Sequence, residues 1–260
     1  MEALRKKHWA GRLTFLAAIL CFGAVAVALI AALGSARGAW PFRIGFKLLE
    51  YALYGGAAGI LLALIAALFA RRVKPKLVIV NLLAILVAGA FVGFLGNQVR
   101  IARSVPRIHD IATNLDDYPR FYRLTVRADN LENVPDMGRR DLAALPPRER
   151  WKAVHRDYYG DIAPIRVPWS VEETATRVRR LADERGWEIV TFDPANGILE
   201  AVDTSFFFRF KDNIVVRARP VSGGGGGSIV DMRSISRVGV SDVGVNARRV
   251  RSFLADLRRG

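Results

Sequence analysis

The sequence predicts an α+β protein in two parts: three transmembrane helices, then a soluble domain with a four-stranded antiparallel sheet and two packing helices. Three observations lead to this fold class. The N-terminal part contains three long uncharged runs, the C-terminal part contains strand-like segments separated by turns, and a helix signal stands on each side of those segments. We therefore expect a membrane domain over residues 1–100 and a soluble domain over residues 101–260.

The three uncharged runs cover residues 13–36, 51–70 and 77–99. Each is long enough to cross a hydrocarbon core of about 30 Å as an α-helix, so three transmembrane helices are predicted. A cleaved signal peptide is the alternative for the first run, but its apolar core is longer than that of a typical signal sequence.

Small and polar residues within the runs predict contacts between the helices. A short connection at residues 71–76 makes the second and third helices antiparallel neighbours. Asn81 is expected to hydrogen-bond a neighbouring helix. Two Gly-x-x-x-Gly spacings are typical of close helix packing, although chance matches are frequent; they are formed by Gly55 with Gly59 and by Gly89 with Gly93.

Basic residues near the apolar runs predict the orientation of the chain, whose formal net charge is +15. Cytoplasmic segments of membrane proteins carry an excess of Lys and Arg. The N-terminus and the second loop carry more of them than the first loop and the segment after the third run, through Arg5, Lys6, Lys7, Arg12, Arg71, Arg72, Lys74 and Lys76. We expect a multi-pass inner-membrane protein with a cytoplasmic N-terminus and a periplasmic C-terminal domain. Because this charge lies where it can meet lipid phosphates, the lipid bilayer is the expected partner and nucleic acid is not.

The elements of the soluble domain follow from caps, turns and periodicity. Ser170 and Glu173 form a capping box that opens a helix ending near Gly186. A last helix is expected from about Ser241 or Asp242 to residue 258. Residues 104–168 are expected to be coil and turns, with a candidate strand at 121–126. Between the helices, four strands are predicted at residues 187–192, 198–208, 213–219 and 228–238, and the five glycines at 223–227 are expected to form a hairpin tip.

Few residues point to chemistry. Cys21 is the single cysteine and the histidines are isolated in sequence, so we predict no metal site, no cofactor and no catalytic residue. His109 beside Asp110 invites a general-base role, with a structural role as the alternative. A run of aromatic residues is expected to lie in the sheet core or at an interdomain contact, with a lipid-binding face as the alternative: Phe206, Phe207, Phe208 and Phe210.

The densest polar cluster lies in the last strand and the helix that follows it. Alternate residues of a strand share a face, so Asp231, Arg233 and Arg237 project together and could meet arginines of the neighbouring strand. Guanidinium groups beside a helix N-terminus suit a carboxylate or phosphate ligand. We therefore predict an anionic-ligand site formed by Arg217, Asp231, Arg233, Ser236, Arg237 and Asn246. The alternative is a set of ion pairs and caps that fix the sheet to the last helix.

Several of these segments carry a family resemblance. The longest is Asp-x-Arg-Ser-x-Ser-Arg-x-Gly-x-Ser-Asp-x-Gly-x-Asn-Ala at residues 231–247, and shorter ones lie at residues 108–113 and 210–217. Over residues 104–258 the chain resembles the bacterial and plastid family called domain of unknown function 1499. The resemblance implies no activity, and its plastid members imply an extracytoplasmic setting. The family usually shows two acidic residues where this chain has Asp212 and Asn213, so a role that needs a carboxylate at Asn213 is in doubt.

These observations lead to three hypotheses of function. The first is a non-enzymatic, membrane-anchored extracytoplasmic module that binds or scaffolds a protein partner or an anionic envelope ligand. The second is an envelope hydrolase of unknown substrate that uses His109, or Asp231 with Arg233. The third is a structural subunit of a membrane complex.

Overall fold

The computed structural model describes the backbone of residues 2–223 and 226–260, and the side chains of these ranges from residue 8 onward. Contacts divide the chain into two units. The first contains the residues up to Ile101 together with Phe207–Arg209, and the second contains Ala102–Phe206 and Phe210–Gly260.

The first unit is built from three long helices: α1 (Glu2–Ala36), α2 (Phe42–Val73) and α3 (Lys76–Ser104). Each has a stretch that is long and apolar enough to cross a membrane. Large side chains such as Leu61 and Phe69 are exposed, whereas small ones such as Ala63 are buried between helices. This distribution is typical of helices whose outer faces meet lipid, because small residues let the backbones approach.

Polar and small residues join the three helices at a few points. The Nδ2 of Asn81 in α3 donates a hydrogen bond to the Oγ1 of Thr14 in α1 at 3.0 Å, so the predicted interhelical bond is confirmed. A Cβ at Gly59 would lie 2.9 Å from the backbone nitrogen of Cys21, which means that α1 and α2 approach closely there. The prediction of close packing was wrong for three other glycines, where a Cβ would meet nothing within 4 Å: Gly55, Gly89 and Gly93.

The described residues of the second unit form six strands and four helices. In chain order they are β1 (Asp110–Ala112), α4 (Arg140–Ala143), α5 (Pro147–Tyr159), β2 (Ile165–Val167), α6 (Val171–Glu184), β3 (Glu188–Asp193), β4 (Ile198–Thr204), β5 (Lys211–Pro220), β6 (Ser228–Ser236) and α7 (Val245–Arg259). The α+β class and the antiparallel pairing are confirmed. Part of the predicted five-glycine tip between β5 and β6, residues 224–225, lies outside the described residues.

All strands join one antiparallel sheet, in which the order is β1-β6-β5-β4-β3. The strand β2 also pairs with β6, along residues 228–230, whereas β1 pairs along residues 233–235. The prediction of four strands was wrong, because β1 and β2 are only three residues long and show no readable alternation. The candidate strand at residues 121–126 was also wrong, because that segment is irregular. The helix α5 was missed within the stretch expected to be coil.

The two predicted helices pack on one side of the sheet and form the main core. The capping box that opens α6 is present, with Ser170 and Glu173 bonded to each other's backbone N–H. The core joins apolar residues of both helices to one set of alternating strand residues, including Leu199, Val216 and Met232. The ring of Phe253 in α7 stacks on Trp187 at a centroid distance of 5.1 Å.

The strand β4 ends earlier than predicted. It stops at Thr204, and the chain then turns so that Phe206 and Phe207 are 83% and 52% exposed. The expectation that these two rings lie in the sheet core was therefore wrong.

Candidate functional site

The face of the sheet opposite α6 and α7 carries most of the polar residues that the sequence singled out. Leu199, Val216 and Met232 point to the helices, so their neighbours in the chain point the other way. This second face, here called the polar face, carries Glu200 on β4, Asn213 and Arg217 on β5, and Asp231 and Arg233 on β6. A segment without regular structure, residues 113–131, covers it through hydrogen bonds.

Glu200 anchors the middle of this covering segment. Its carboxylate is fully buried and accepts hydrogen bonds from three successive backbone N–H groups, those of Tyr122, Arg123 at 3.1 Å and Leu124 at 2.9 Å. Next to it, the Nδ2 of Asn213 donates to the carbonyl of Thr125 at 3.0 Å. Backbone donors and acceptors that would otherwise be buried without partners are satisfied by the sheet, which fixes the path of the segment.

Arg233 is buried at the centre of the polar face. Its guanidinium binds both oxygens of the Asp110 carboxylate and lies over the ring of Tyr118, 4.2 Å from the centroid. Burial disfavours the charged guanidinium, but the Asp110 carboxylate outweighs it, so the pKa of Arg233 is raised. The Asp110 carboxylate also accepts a hydrogen bond from the Nδ2 of Asn130 at 2.6 Å. The charge of Arg233 is thus fully compensated inside the protein.

Asp231 forms a second compensated cluster. Its carboxylate is buried and pairs with Arg217 at 3.2 Å and Arg219 at 2.7 Å, and it accepts a bond from Thr113. The same two arginines bind Asp117 on the covering segment. The hydrogen bond from Arg217 lowers the pKa of Asp117. Two carboxylates therefore balance two guanidinium groups, as the alternative hypothesis of cross-strand ion pairs expected.

His109 lies in a narrow crevice lined by Asn130, Asp110 and Trp151 among others. Its Nε2 is 3.0 Å from the Oδ1 of Asn130, and the Nδ2 of Asn130 donates a hydrogen bond to Asp110. Asn130 therefore links the side chains of His109 and Asp110. Among the residues that the structure describes, the imidazole of His109 has no Ser or Cys hydrogen-bond partner.

Ser236 and Asn246 lie on the other face of the sheet, between β6 and α7. Asn246 is fully buried; its Nδ2 donates to the Oγ of Ser236 at 3.0 Å and to the carbonyl of His109 at 2.9 Å. Its Oδ1 accepts a bond from the hydroxyl of Ser234 at 2.6 Å. The structure thus separates these two predicted ligand residues from Arg217, Asp231 and Arg233.

The start of α7 is held by carboxylates. The Asp242 carboxylate accepts the backbone N–H of Gly244 at 2.9 Å and that of Asn246 at 2.5 Å, as expected of a cap, although the helix itself begins at Val245. Burial raises the pKa of Asp242. Nearby, Arg249 of α7 pairs with Asp203 at 2.6 Å and Asp212 at 2.8 Å. These bonds fix the last helix to β4 and β5.

Arg237 differs from the other arginines of this region. It is exposed, and its Nε donates to the Oδ1 of the buried Asn213 at 2.7 Å. In the described part of the chain it forms no ion pair, whereas each of the arginines 217, 219, 233 and 249 pairs with at least one carboxylate. Its backbone N–H donates to the carbonyl of Lys211, which also forms no ion pair among the described residues. Two cations without carboxylate partners therefore lie next to each other at the end of β5 and β6.

Sequence reasoning missed Glu200 and Asn130, and it noted Asp110 only as the neighbour of His109. Glu200 had a readable signal, because it is a lone carboxylate between apolar residues of a predicted strand. The contacts of Asp110 with Asn130 and Arg233 gave no such signal, since these residues lie far apart in the chain. Within the described residues, no group of three His, Cys, Asp or Glu side chains is arranged to hold a metal ion.

Comparison with known proteins places the C-terminal part of the chain in a family. No curated protein matches the sequence of the chain. The family model described as "Protein of unknown function (DUF1499)" matches residues 110–257, which is more than half of the chain and includes all six described strands and most of α7. The chain therefore belongs to the DUF1499 family of proteins of unknown function, and its N-terminal part adds three helices long and apolar enough to cross a membrane.

Proposed function

We propose that this protein is a membrane-anchored extracytoplasmic module that binds an anionic envelope ligand, with Arg237 as the main ligand-binding residue. The observation that carries the proposal is that the Arg237 guanidinium is held by the neutral amide of Asn213 and, among the residues that the structure describes, by no carboxylate. No catalytic step is part of the proposal.

The hydrogen bond to Asn213 fixes the position of the Arg237 guanidinium and leaves its other donors available for a ligand. Asn213 is 1% exposed and its amide is fixed by the carbonyl of Thr125, so its Oδ1 holds the Nε of Arg237 in a set position. A guanidinium has five N–H donors, and this bond uses one of them. The remaining donors form the planar fork that binds carboxylate or phosphate oxygens in pairs. Lys211 adds a second positive charge beside it.

The remaining predicted ligand residues stabilise the domain around the site and do not contact the ligand in this proposal. Arg217, Asp231 and Arg233 have their charges balanced within the polar face, and Ser236 and Asn246 fix the last helix to the sheet. An incoming anion at Arg233 would have to displace a buried carboxylate, which costs far more free energy than binding at the exposed end of the strand. We therefore assign the ligand contact to Arg237 and a supporting role to the others.

The proposed location follows from the basic residues around the helices. More Lys and Arg flank the N-terminus and the α2–α3 connection than the other two flanks, which favours a cytoplasmic N-terminus and a periplasmic soluble domain in the inner membrane. Alkaline phosphatase fused after Gly260 should be active. Activity of a cytoplasmic reporter at the same position would reverse the orientation.

The ligand site is tested with inorganic phosphate on the full chain in neutral detergent. We expect phosphate to raise the unfolding temperature of the soluble domain at constant ionic strength, relative to chloride. Arg237→Gln removes the fork, and Asn213→Asp supplies a carboxylate that neutralises it. Each should weaken phosphate binding about tenfold or more, since a hydrogen bond to a charged group contributes about 1.5–3 kcal/mol.

The matched control is Arg166→Gln. Arg166 in β2 is also exposed and forms no ion pair among the described residues, but no buried amide holds its guanidinium. This variant should bind phosphate like the unchanged protein. Equal phosphate responses of the unchanged protein and Arg237→Gln would refute the proposed site.

A further inference from the structure

The first part of α1 and the last part of α2 lie side by side within the unit of long helices. Only residues 37–41 connect these helices, and a Cβ at Gly59 would lie 2.9 Å from Cys21, so they pack as antiparallel neighbours. Trp9 lies twelve residues before Cys21 and Arg71 twelve residues after Gly59, a distance of about 18 Å along each helix. Trp9 and Arg71 therefore reach the same level at one end of the helix pair.

An open cleft of about 890 Å³ lies between the two helices at this level and is here called the α1–α2 cleft. Its apolar lining includes Leu13 of α1 and the exposed side chains of Leu68 and Phe69 of α2. Trp9, which is also exposed, completes this lining. The volume falls within the range of about 300–1,000 Å³ that is typical of ligand pockets. Such a cleft suits a ligand with an apolar chain.

The same cleft carries two guanidinium groups without carboxylate partners. Arg71 and Arg72 line it from the last turn of α2, and neither forms an ion pair among the described residues. Glu50 is the only acidic side chain that the structure describes in this unit, and it lies about 30 Å away along α2. Since both arginines follow Leu68 and Phe69 in the helix, positive charge lies at the helix end and apolar surface lies next to it.

We propose that the α1–α2 cleft binds one anionic phospholipid, with Arg71 and Arg72 on its phosphate and an acyl chain along the apolar lining. Basic pockets between transmembrane helices are suited to anionic lipid headgroups, because the attraction adds to the burial of the chain. Trp side chains prefer the headgroup level of a bilayer, and Trp9 shares its level with the arginines. The inference goes beyond the proposed function, since it needs the membrane location of the helices but not the site at Arg237.

A second copy of the chain is the rival occupant of the cleft. Its helices could cover the apolar lining, but the helix side chains that the structure describes offer a single carboxylate, Glu50, to balance Arg71 and Arg72. A guanidinium covered without a counter-charge is costly in an apolar environment. A lipid phosphate supplies the missing charge, so the charge complementarity favours lipid.

The test measures lipid retention by native mass spectrometry. The full chain is delipidated in neutral detergent and then receives equal amounts of phosphatidylglycerol and phosphatidylcholine. We expect one phosphatidylglycerol per chain, preferred about tenfold or more over phosphatidylcholine. The double variant Arg71→Gln, Arg72→Gln should lose this preference. The matched control is Lys74→Gln, Lys76→Gln, which removes the same charge from the neighbouring connection at residues that do not line the cleft and should keep the preference.

Three results would overturn the site. The first is an unchanged preference in the arginine variant. The second is an equal loss in the lysine control, because binding would then depend on the overall basic charge of this end. The third is a lipid-free dimer, which would assign the cleft to a second copy of the chain.

A measurement on the unchanged chain keeps the test valid if the arginine variant does not fold. A phosphatidylglycerol with a diazirine in its acyl chain labels the residues that it contacts when it is illuminated. We expect labelling concentrated on residues 9–13 and 68–69. Equal labelling at Leu61 and Leu82, which are exposed on the helices but do not line the cleft, would overturn the site.

The lipid site and the site at Arg237 fail separately. Arg237→Gln should leave the retention of phosphatidylglycerol unchanged. The double variant Arg71→Gln, Arg72→Gln should in turn leave the phosphate response of the soluble domain unchanged. Loss of one response without the other therefore identifies which proposal is wrong.

Discussion

The guanidinium of Arg233 forms a bidentate pair with the carboxylate of Asp110, with Nε 2.9 Å from Oδ1 and Nη2 2.7 Å from Oδ2. Both side chains are buried, at 6% and 1% exposure. The short strand β1 is thus joined to the middle of β6 through side chains as well as backbone.

Removing one partner of this pair should be strongly destabilising. Asp110→Ala leaves the Arg233 charge buried without compensation, and we expect a loss of about 3–5 kcal/mol in the free energy of unfolding. Asp110→Ala combined with Arg233→Met should lose clearly less, because no charge is then stranded. Urea unfolding of the full chain in detergent, followed by near-UV circular dichroism, measures both. Equal losses in the single and double variants would contradict this account.

Glu200 should control the order of the covering segment. Glu200→Ala removes the acceptor of three backbone N–H groups, and each unsatisfied donor costs about 1–3 kcal/mol unless the segment opens to water. We therefore expect residues 120–126 to detach locally. Trypsin cleavage after the exposed Arg120 and Arg123 should become much faster, while Glu188→Ala, at an exposed position of β3, should leave cleavage unchanged.

His155 should make the fold sensitive to mild acid. It is buried and its Nε2 accepts the backbone N–H of Ala112, and burial lowers its pKa from 6.5 to about 4. Below pH 6.5 His155 becomes protonated in the unfolded chain, whereas in the folded chain it becomes protonated only at about pH 4. The free energy of unfolding should therefore fall as the pH is lowered through this window, by on the order of 3 kcal/mol from this group.

A variant that cannot titrate isolates this effect. His155→Gln keeps an acceptor at the same place and should show a smaller fall in stability between pH 6.5 and 4 than the unchanged protein. Parallel pH profiles for the two proteins would show that His155 does not cause the acid sensitivity.

The bond between Asn81 and Thr14 should stabilise the helical unit modestly. Interhelical hydrogen bonds in membrane proteins contribute about 0.6 kcal/mol on average and up to about 1.7 kcal/mol. Asn81→Leu, Thr14→Val and the double variant form a cycle whose coupling should fall in that range, measured by unfolding in mixed micelles of increasing dodecyl sulfate. Asn97→Ala serves as the control, since Asn97 bonds only an exposed arginine one turn away in its own helix.

Local signals in the sequence predicted most of the long elements. The capping box at Ser170 and the alternation of β3 to β6 depend on residues close together in the chain, so they can be read directly. The helix α5 also had a signal, with Pro147 at its start and buried Trp151, Val154 and Tyr159 at helical spacing, but its many charged residues obscured it. The strands β1 and β2 could not be predicted, because three residues show no period.

The candidate site was only partly readable for the same reason. Strand alternation placed Asp231 opposite the arginines of the next strand, and Arg217 does face it in the sheet. What separates Arg233 from Arg237 is the partner each one meets, Asp110 in one case and Asn213 in the other. Those partners lie 123 and 24 residues away in the chain, so only the fold reveals which charge is balanced.

The arrangement of the outer strands also disfavours edge-to-edge association between copies of the protein. Along the outer side of β6, two separate three-residue strands, β1 and β2, occupy hydrogen-bonding positions. A strand of another molecule therefore meets no long continuous edge with which to pair. At the opposite margin β3 is interrupted by an irregularity between Ile189 and Thr191, which breaks the regular spacing that an added strand would need. Sheets with such margins resist fibre-like polymerisation.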